Sequence, residues 1–253
     1  MIDLHSHILP LIDDGSDSME RTVAMARLAV DEGIHILAAT PHHMNGRYMN
    51  PAEGVIEAVR LVNDELRSRQ IPLEIIPGQE IRLTDHFWTE WEQGKLLPLN
   101  HSRYVLIELP SQKVPASLSD FIHEMIVQGL VPIIAHPERN AQLAADLDLM
   151  QEYIQQGAWG QVTSHSLNGL FGGKVKKTAI QMCKRNLIHI VSSDAHDDQK
   201  RPFGMKEAYD QLEKELGKGY VRYYSGNAKA VIENQQMEPW RTKKEKRWYQ
   251  VWR

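Results

Sequence analysis

Seven short apolar segments, each ending in ionisable side chains, constrain this 253-residue chain more than any other feature. They read MIDLHSH at 1–7, HILAATPHH at 35–43, LEIIPGQEI at 73–81, YVLIELP at 104–110, VPIIAHPER at 131–139, AWGQVTSHS at 158–166 and IHIVSSDAH at 188–196. Runs this short and this rich in Val and Ile predict strands buried on both faces. Helical periodicity fills the intervals. Asn50-Pro51 with Glu53 predicts a capped helix whose Val55, Val59, Val62 and Leu66 share a face. Leu118, Phe121, Ile122 and Met125 before Gly129 repeat the pattern, as do Met205, Ala208, Tyr209, Leu212 and Leu216 before Gly217. Strand and helix in alternation imply parallel strands with right-handed crossovers, in either an open doubly wound sheet or a closed barrel. The length suits one barrel.

An apolar share of 42% with 25% charged residues excludes a disordered chain and supplies a sizeable core. The lone Cys183 cannot form an internal disulfide, and neither a signal peptide nor a run of ~20 apolar residues is present, so a cytoplasmic protein is expected. Charge is asymmetric: residues 241–253 carry a net +5, leaving −9 on the rest of a chain whose total is −4. The expected organisation is a body at 1–238 and a basic, aromatic tail at 239–253 holding Trp248, Tyr249 and Trp252. Membrane contact is expected only through that tail. An acidic body repels polyanions, so no nucleic-acid partner is expected.

Polar residues cluster at the strand ends. His5 and His7 end the first segment, His42 and His43 the second, Glu80 the third, Glu108 the fourth, His136 the fifth, and Asp194 with His196 the seventh. Carboxyl ends of parallel strands converge on one mouth, so these groups should meet there. His5-x-His7 puts two imidazoles on one side of an extended chain, able to grip one ion. Imidazoles and carboxylates without thiolates suit manganese, iron or zinc, two or three ions in all. A single His or buried Glu is more often structural, and His35, His86, His101, His123 and His189 are read that way. The converging set is too large for that explanation to be repeated at each member.

With Asp14 in the DDG turn added, these motifs resemble the polymerase and histidinol phosphatase (PHP) superfamily from residue 3 to about residue 205. LHSHILPLIDDGS, ATPHH, AHPERN and SDAH…RPF are similar to the manganese-dependent tyrosine-protein phosphatases of Gram-positive bacteria. The resemblance implies a distorted (β/α)7 TIM-like barrel, the PHP fold. It implies metal ligands His5, His7, Asp14, His42, Glu80, Glu108, His136, Asp194 and His196. It further implies hydrolysis of phosphotyrosine by a metal-activated hydroxide, with a bacterial tyrosine kinase in exopolysaccharide or capsule synthesis as the protein substrate.

Arg139, three residues after His136, and Arg201, beyond the last strand, are the expected phosphate clamps, since a planar guanidinium donates two parallel hydrogen bonds. His196 or His43 is the expected proton donor to the leaving group; Ser164 and His165 are candidates for support behind the ligands. Thiol chemistry is excluded, because the residue six after Cys183 is His189 rather than Arg. A small-molecule phosphatase of the histidinol-phosphatase type and a metal-stabilised binding module are the competing functions.

Overall fold

The computed structural model describes residues 1–240. The chain runs β1 (Ile2–Ser6), α1 (Met19–Asp31), β2 (Ile36–Ala39), β3 (His42–His43), α2 (Ala52–Ser68), β4 (Glu74–Pro77), β5 (Glu80–Arg82) and α3 (Phe87–Glu92). It continues through β6 (Tyr104–Glu108), α4 (Leu118–Val127), β7 (Val131–Ala135), α5 (Ala141–Ala145), α6 (Leu147–Gln155) and β8 (Trp159–Thr163). The last elements are α7 (Ser164–Asn168), α8 (Gly173–Lys184), β9 (Ile190–Ser192), α9 (Met205–Leu216) and α10 (Lys218–Ile232).

Parallel pairing orders the strands as β1-β2-β4 and β3-β5-β6-β7-β8-β9. The two sheets are one ring of seven staves, because β2–β3 and β4–β5 are each a single stave interrupted in the middle. Pro41 cannot donate to a ladder, and Gly78 approaches so closely that a Cβ would lie 2.8 Å from Leu99 Cδ2. The sequence predicts unbroken strands at 35–43 and 73–81; these two residues are why each is broken. The ring closes through a parallel bridge from Ser6 to Ala195, flanked by hydrogen bonds from His7 N to Ala195 O at 2.8 Å and from Asp194 N to His5 O at 2.8 Å. The expected distorted seven-stranded barrel is the fold found.

Alternation along the staves separates two cores. Ala38, Ile76, Leu106, Ile133 and Ile190 fill the barrel interior, whereas Leu37, Ile75, Val105, Ile107, Ile134 and Val191 pack outward against the helices. On β6 the inward series runs Tyr104, Leu106, Glu108, so the same periodicity that builds the interior carries a carboxylate to the mouth. The opposite end is plugged by Ala228 and Val231 of α10 and by Met237. There the Tyr104 hydroxyl donates to Gln235 O at 2.6 Å and accepts from Met237 N at 3.0 Å. Trp240 stacks on Tyr220 of α10 with ring centroids 3.9 Å apart. The rest of the tail, with Trp248, Tyr249 and Trp252, lies outside the described residues. Among the described residues no helix is long and apolar enough to cross a membrane.

Two local expectations need correction. Asn50 does not cap α2; Pro51 occupies that position, and the Asn50 amide donates to Ile12 O at 3.0 Å and His42 O at 2.9 Å, tying two loops at the barrel mouth. The strands expected at 131–139 and 158–166 stop at Ala135 and Thr163. His136 turns left-handed with φ of 35° before a 3-10 turn at Pro137–Arg139, and Ser164 begins α7.

Candidate metal centre

Each site residue stands where its stave leaves the barrel. β1 delivers His5 and His7; β3, β5 and β6 deliver His42, Glu80 and Glu108; the ends of β7 and β9 deliver His136, Asp194 and His196. Asp14 comes from the turn after β1. His136 and Asp194 have positive φ, 35° and 57°, a conformation costing about 1–3 kcal/mol that the surrounding ladder must impose. In return the chain turns sharply over the mouth.

The nine side chains form overlapping groups whose ligand atoms lie within 4.8 Å of one another: His7, Asp14, His42 and His196; His5, His7 and Glu80; His5, His136 and Asp194; His42, Glu80 and Glu108. His5 Nε2 lies 3.4 Å from Glu80 Oε2 and 3.4 Å from Asp194 Oδ1, and His7 Nε2 lies 3.4 and 3.2 Å from the same oxygens. Atoms bound ~2.1 Å from a shared ion in a tetrahedron stand ~3.4 Å apart, so the spacing fits donors arranged around a cation. Alignment supports this. His5 Nε2, His7 Nε2, His42 Nδ1 and Glu80 Oε2 are buried without a hydrogen-bond partner, although His42 Nδ1 and Glu80 Oε2 are only 2.9 Å apart. Buried polar atoms left unpaired are costly, and a divalent ion is the partner this donor set fits.

Electrostatics sort the cluster. Burial opposes charge on His7, but Asp13 outweighs it and holds the imidazole well above its ordinary range. Burial likewise opposes charge on Glu80 and Asp194; His5 and His42 around the first, and Arg139 and His5 around the second, keep both carboxylates well below theirs. Glu108 is pushed up to about 7 by burial and by Glu80, against the pull of Arg82. His136 falls to about 4 through burial and Arg139. Burial and His7 push His196 down too, leaving it neutral, with Nδ1 2.9 Å from Asp194 O and Nε2 3.6 Å from Asp14 Oδ1. A bound cation would reinforce the charge of Glu80 and Asp194 and the neutrality of His136 and His196, and would oppose the shifts on His7 and Glu108.

Three supporting residues escaped the sequence reading. Asp13 Oδ2 lies 2.7 Å from His7 Nδ1 and accepts His42 N–H at 3.1 Å, which leaves His7 Nε2 for the cluster. Its sequence signal is the acidic doublet in DDG, of which the family resemblance marks only Asp14. Gln161 Oε1 lies 3.2 Å from His5 Nδ1, so the sixth stave contributes through a polar residue in an otherwise apolar run. Arg82, level with Glu108 on the next stave, donates to both of its oxygens at 3.0 and 2.8 Å. Glu108 therefore has both its arginine partner and a place 3.8 Å from His42 Nδ1.

A cavity of about 300 Å³ opens over the cluster, walled by Asp14, His42, Glu80, Glu108, His136 and His196 and by Arg139 and Arg201. The two guanidiniums converge on Asp194 Oδ2, at 2.8 and 2.7 Å. His43 faces elsewhere: its Nδ1 accepts from Asn50 N–H at 3.0 Å and Nε2 points toward Glu90, 3.7 Å away, so it is set apart from the cavity wall. Ser164 donates to Phe203 O at 2.5 Å, holding the loop that carries Arg201. His165 is buried with its ring edge-on to Phe171. His189 is structural, its Nδ1 accepting Gly160 N–H at 3.0 Å.

Comparison with known proteins adds function to this geometry. A family model for capsular polysaccharide synthesis, CpsB/CapC, matches residues 1–233. The chain is 40% identical over 235 residues to the tyrosine-protein phosphatase YwqE of Bacillus subtilis, covering 93% of this chain and 92% of YwqE. It is 31% identical over 241 residues to the tyrosine-protein phosphatase CpsB of Streptococcus pneumoniae, covering 93% and 99%. Crystal structures of YwqE and CpsB, described as metal-dependent tyrosine phosphatases, include one that superposes with a TM-score of 0.93 at 40% identity, covering 95% of this chain and 97% of that one. A lactonase from Listeria monocytogenes, 10% identical with a TM-score of 0.54 over 94% of both chains, shares the barrel alone.

Proposed function

Because the chain belongs to the CpsB/CapC family of capsular polysaccharide synthesis, we propose that it is a metal-dependent protein-tyrosine phosphatase acting on a phosphotyrosine protein of that machinery, a bacterial tyrosine kinase foremost. The observation that carries the reading is the set of buried, unpaired ligand atoms on His5, His7, His42 and Glu80, the last two walling one cavity with Arg139 and Arg201. His5, His7, Asp14, His42, Glu80, Glu108, His136, Asp194 and His196 would hold two or three divalent ions, manganese first, with iron and zinc compatible with the same donors. Such ions supply a lowered pKa for water and neutralisation of phosphoryl charge. A cytoplasmic setting belongs to the same reading, in keeping with the single buried thiol of Cys183.

The protein's own groups do the rest. Arg139 and Arg201 bind two phosphoryl oxygens and fix the phosphorus over the cluster; with the phosphate present they exchange Asp194 Oδ2 for substrate oxygen. Asp13 and Gln161 orient His7 and His5, so that the ligand geometry exists before substrate arrives. The leaving phenolate has a pKa near ~10 and needs less protonation than an alkoxide. Of the two imidazoles expected as its proton donor, only His196 is on the cavity wall, but burial and His7 hold it neutral, so its part is that of a ligand and the phenolate takes its proton from solvent water.

The test is the initial rate of purified protein on a phosphotyrosine peptide, a phosphoserine peptide and histidinol phosphate, with manganese, after chelation and after metal readdition. Chelator-sensitive turnover that favours phosphotyrosine supports the reading. Strong preference for histidinol phosphate would leave the metal centre standing and overturn the substrate.

A further inference from the structure

Across Arg139 from the metal cavity lies a second cavity, of about 400 Å³. Its walls include Ala141, Ala144 and Ala145 of α5, together with Phe171, Val175 and Lys174. Residues at i, i+3 and i+4 share one helix face, so three alanines there leave a trough where longer side chains would have filled the space. Arg139 lines both cavities. Its guanidinium reaches Asp194 Oδ2 on one side and lies 5.2 Å from the centroid of the Phe171 ring on the other. Phe171 is held by a second guanidinium, Arg201 at 5.8 Å, and by the His165 ring at 5.9 Å, so the partition between the cavities is fixed on three sides. A group gripped by Arg139 has the apolar trough as its immediate neighbour, with an exposed cation, Lys174, at the edge.

We propose that this trough is the subsite for the protein segment flanking the phosphotyrosine: it takes an apolar side chain next to the phosphorylated tyrosine, and Lys174 faces an acidic group of the same segment. The inference rests on the phosphatase reading above and adds what that reading lacks, a surface that tells a phosphoprotein from a small aryl phosphate. Polar metal cavity and apolar trough divide the work, the first holding the phosphoryl group and the second the chain that bears it. Positive charge at the edge favours a segment that is acidic as well as phosphorylated.

The experiment compares kcat/KM of manganese-loaded wild type, Ala144→Glu, Val175→Glu and Lys174→Glu on two substrates. One is a tyrosine-phosphorylated peptide with Leu beside the tyrosine and Glu beyond it; the other is p-nitrophenyl phosphate, which reaches the metal cavity and leaves the trough empty. A carboxylate on either wall should lower the peptide-to-nitrophenyl ratio about tenfold or more. Lys174→Glu should lower it about threefold, as for an exposed ion pair. Metal content measured on each variant should match wild type. An unchanged ratio in both Ala144→Glu and Val175→Glu would overturn the subsite. A metal-loaded wild type that turns over neither substrate would instead remove the phosphatase reading, and this subsite with it.

Discussion

At the scale of single residues, the proposed centre depends as much on what holds the candidate ligands as on those ligands. Asp13 is the clearest case, since it fixes His7 through a 2.7 Å contact and accepts the backbone N–H of His42. Asp13→Asn should lower metal affinity about 10–100-fold, read by titrating chelated protein with manganese in a calorimeter. Binding unchanged from wild type would reduce Asp13 to a turn residue. Arg139 tests the other half of the cavity. Arg139→Lys keeps the charge but loses the planar fork, and should lower kcat/KM on phosphotyrosine about 10²–10³-fold at wild-type metal content. If lysine serves as well, Arg139 acts as a point charge. The candidate ligands stand out in the sequence because imidazoles and carboxylates are unusual at the ends of apolar strands. Asp13, Gln161 and Arg82 were not, because a supporting residue is identified by the atom it touches, and those contacts join residues 6, 156 and 26 positions apart.

Among elements, turns and breaks set the geometry. The DDG turn returns the chain against the end of β1, with Ser16 N donating to His7 O at 3.1 Å and Gly15 N to Asp13 Oδ1 at 3.0 Å. A Cβ at Gly15 would run into the carbonyl oxygen and Cβ of His7. Gly15→Ala should therefore cost about 1–3 kcal/mol in urea unfolding and reduce metal occupancy as well, because the displaced turn carries Asp13 and Asp14. Stability lost with occupancy intact would uncouple the turn from the site. Periodicity made the helices at 118–127 and 205–216 readable, since each carries a full apolar stripe closed by Gly129 or Gly217. Neither the breaks at Pro41 and Gly78 nor the left-handed turns at His136 and Asp194 follow from hydropathy. The breaks follow from Pro41 and Gly78 and the left-handed turns from the ladder around His136 and Asp194, and these interruptions are what distort the barrel at its mouth.

For the whole molecule, the cluster joins elements far apart in the chain, so an ion that binds only the assembled barrel must stabilise all of it. Chelation should lower the melting temperature and manganese restore it, the ion stabilising the fold by about 4 kcal/mol at a thousandfold excess over the dissociation constant. A melting curve indifferent to metal would contradict a centre assembled by folding. Acid should act through a second buried group. Burial pushes His189 from 6.5 down to about 3, so between those values the unfolded chain binds the proton and the folded one does not. Its contribution is full above about pH 6.5 and is lost as pH falls toward 3. In His189→Gln, urea midpoints at about pH 7 and about pH 4.5 should differ less than in wild type; an equal difference would exclude His189 as a source of acid sensitivity. The bridge between Ser6 and Ala195 carries a consequence for biosynthesis. The stave bearing His5 and His7 leaves the ribosome first, and its neighbour β9 emerges nearly two hundred residues later. At ordinary translation speeds that delay is on the order of ten to forty seconds. His5 and His7 must wait through the synthesis of the rest of the barrel before the ring can close around them.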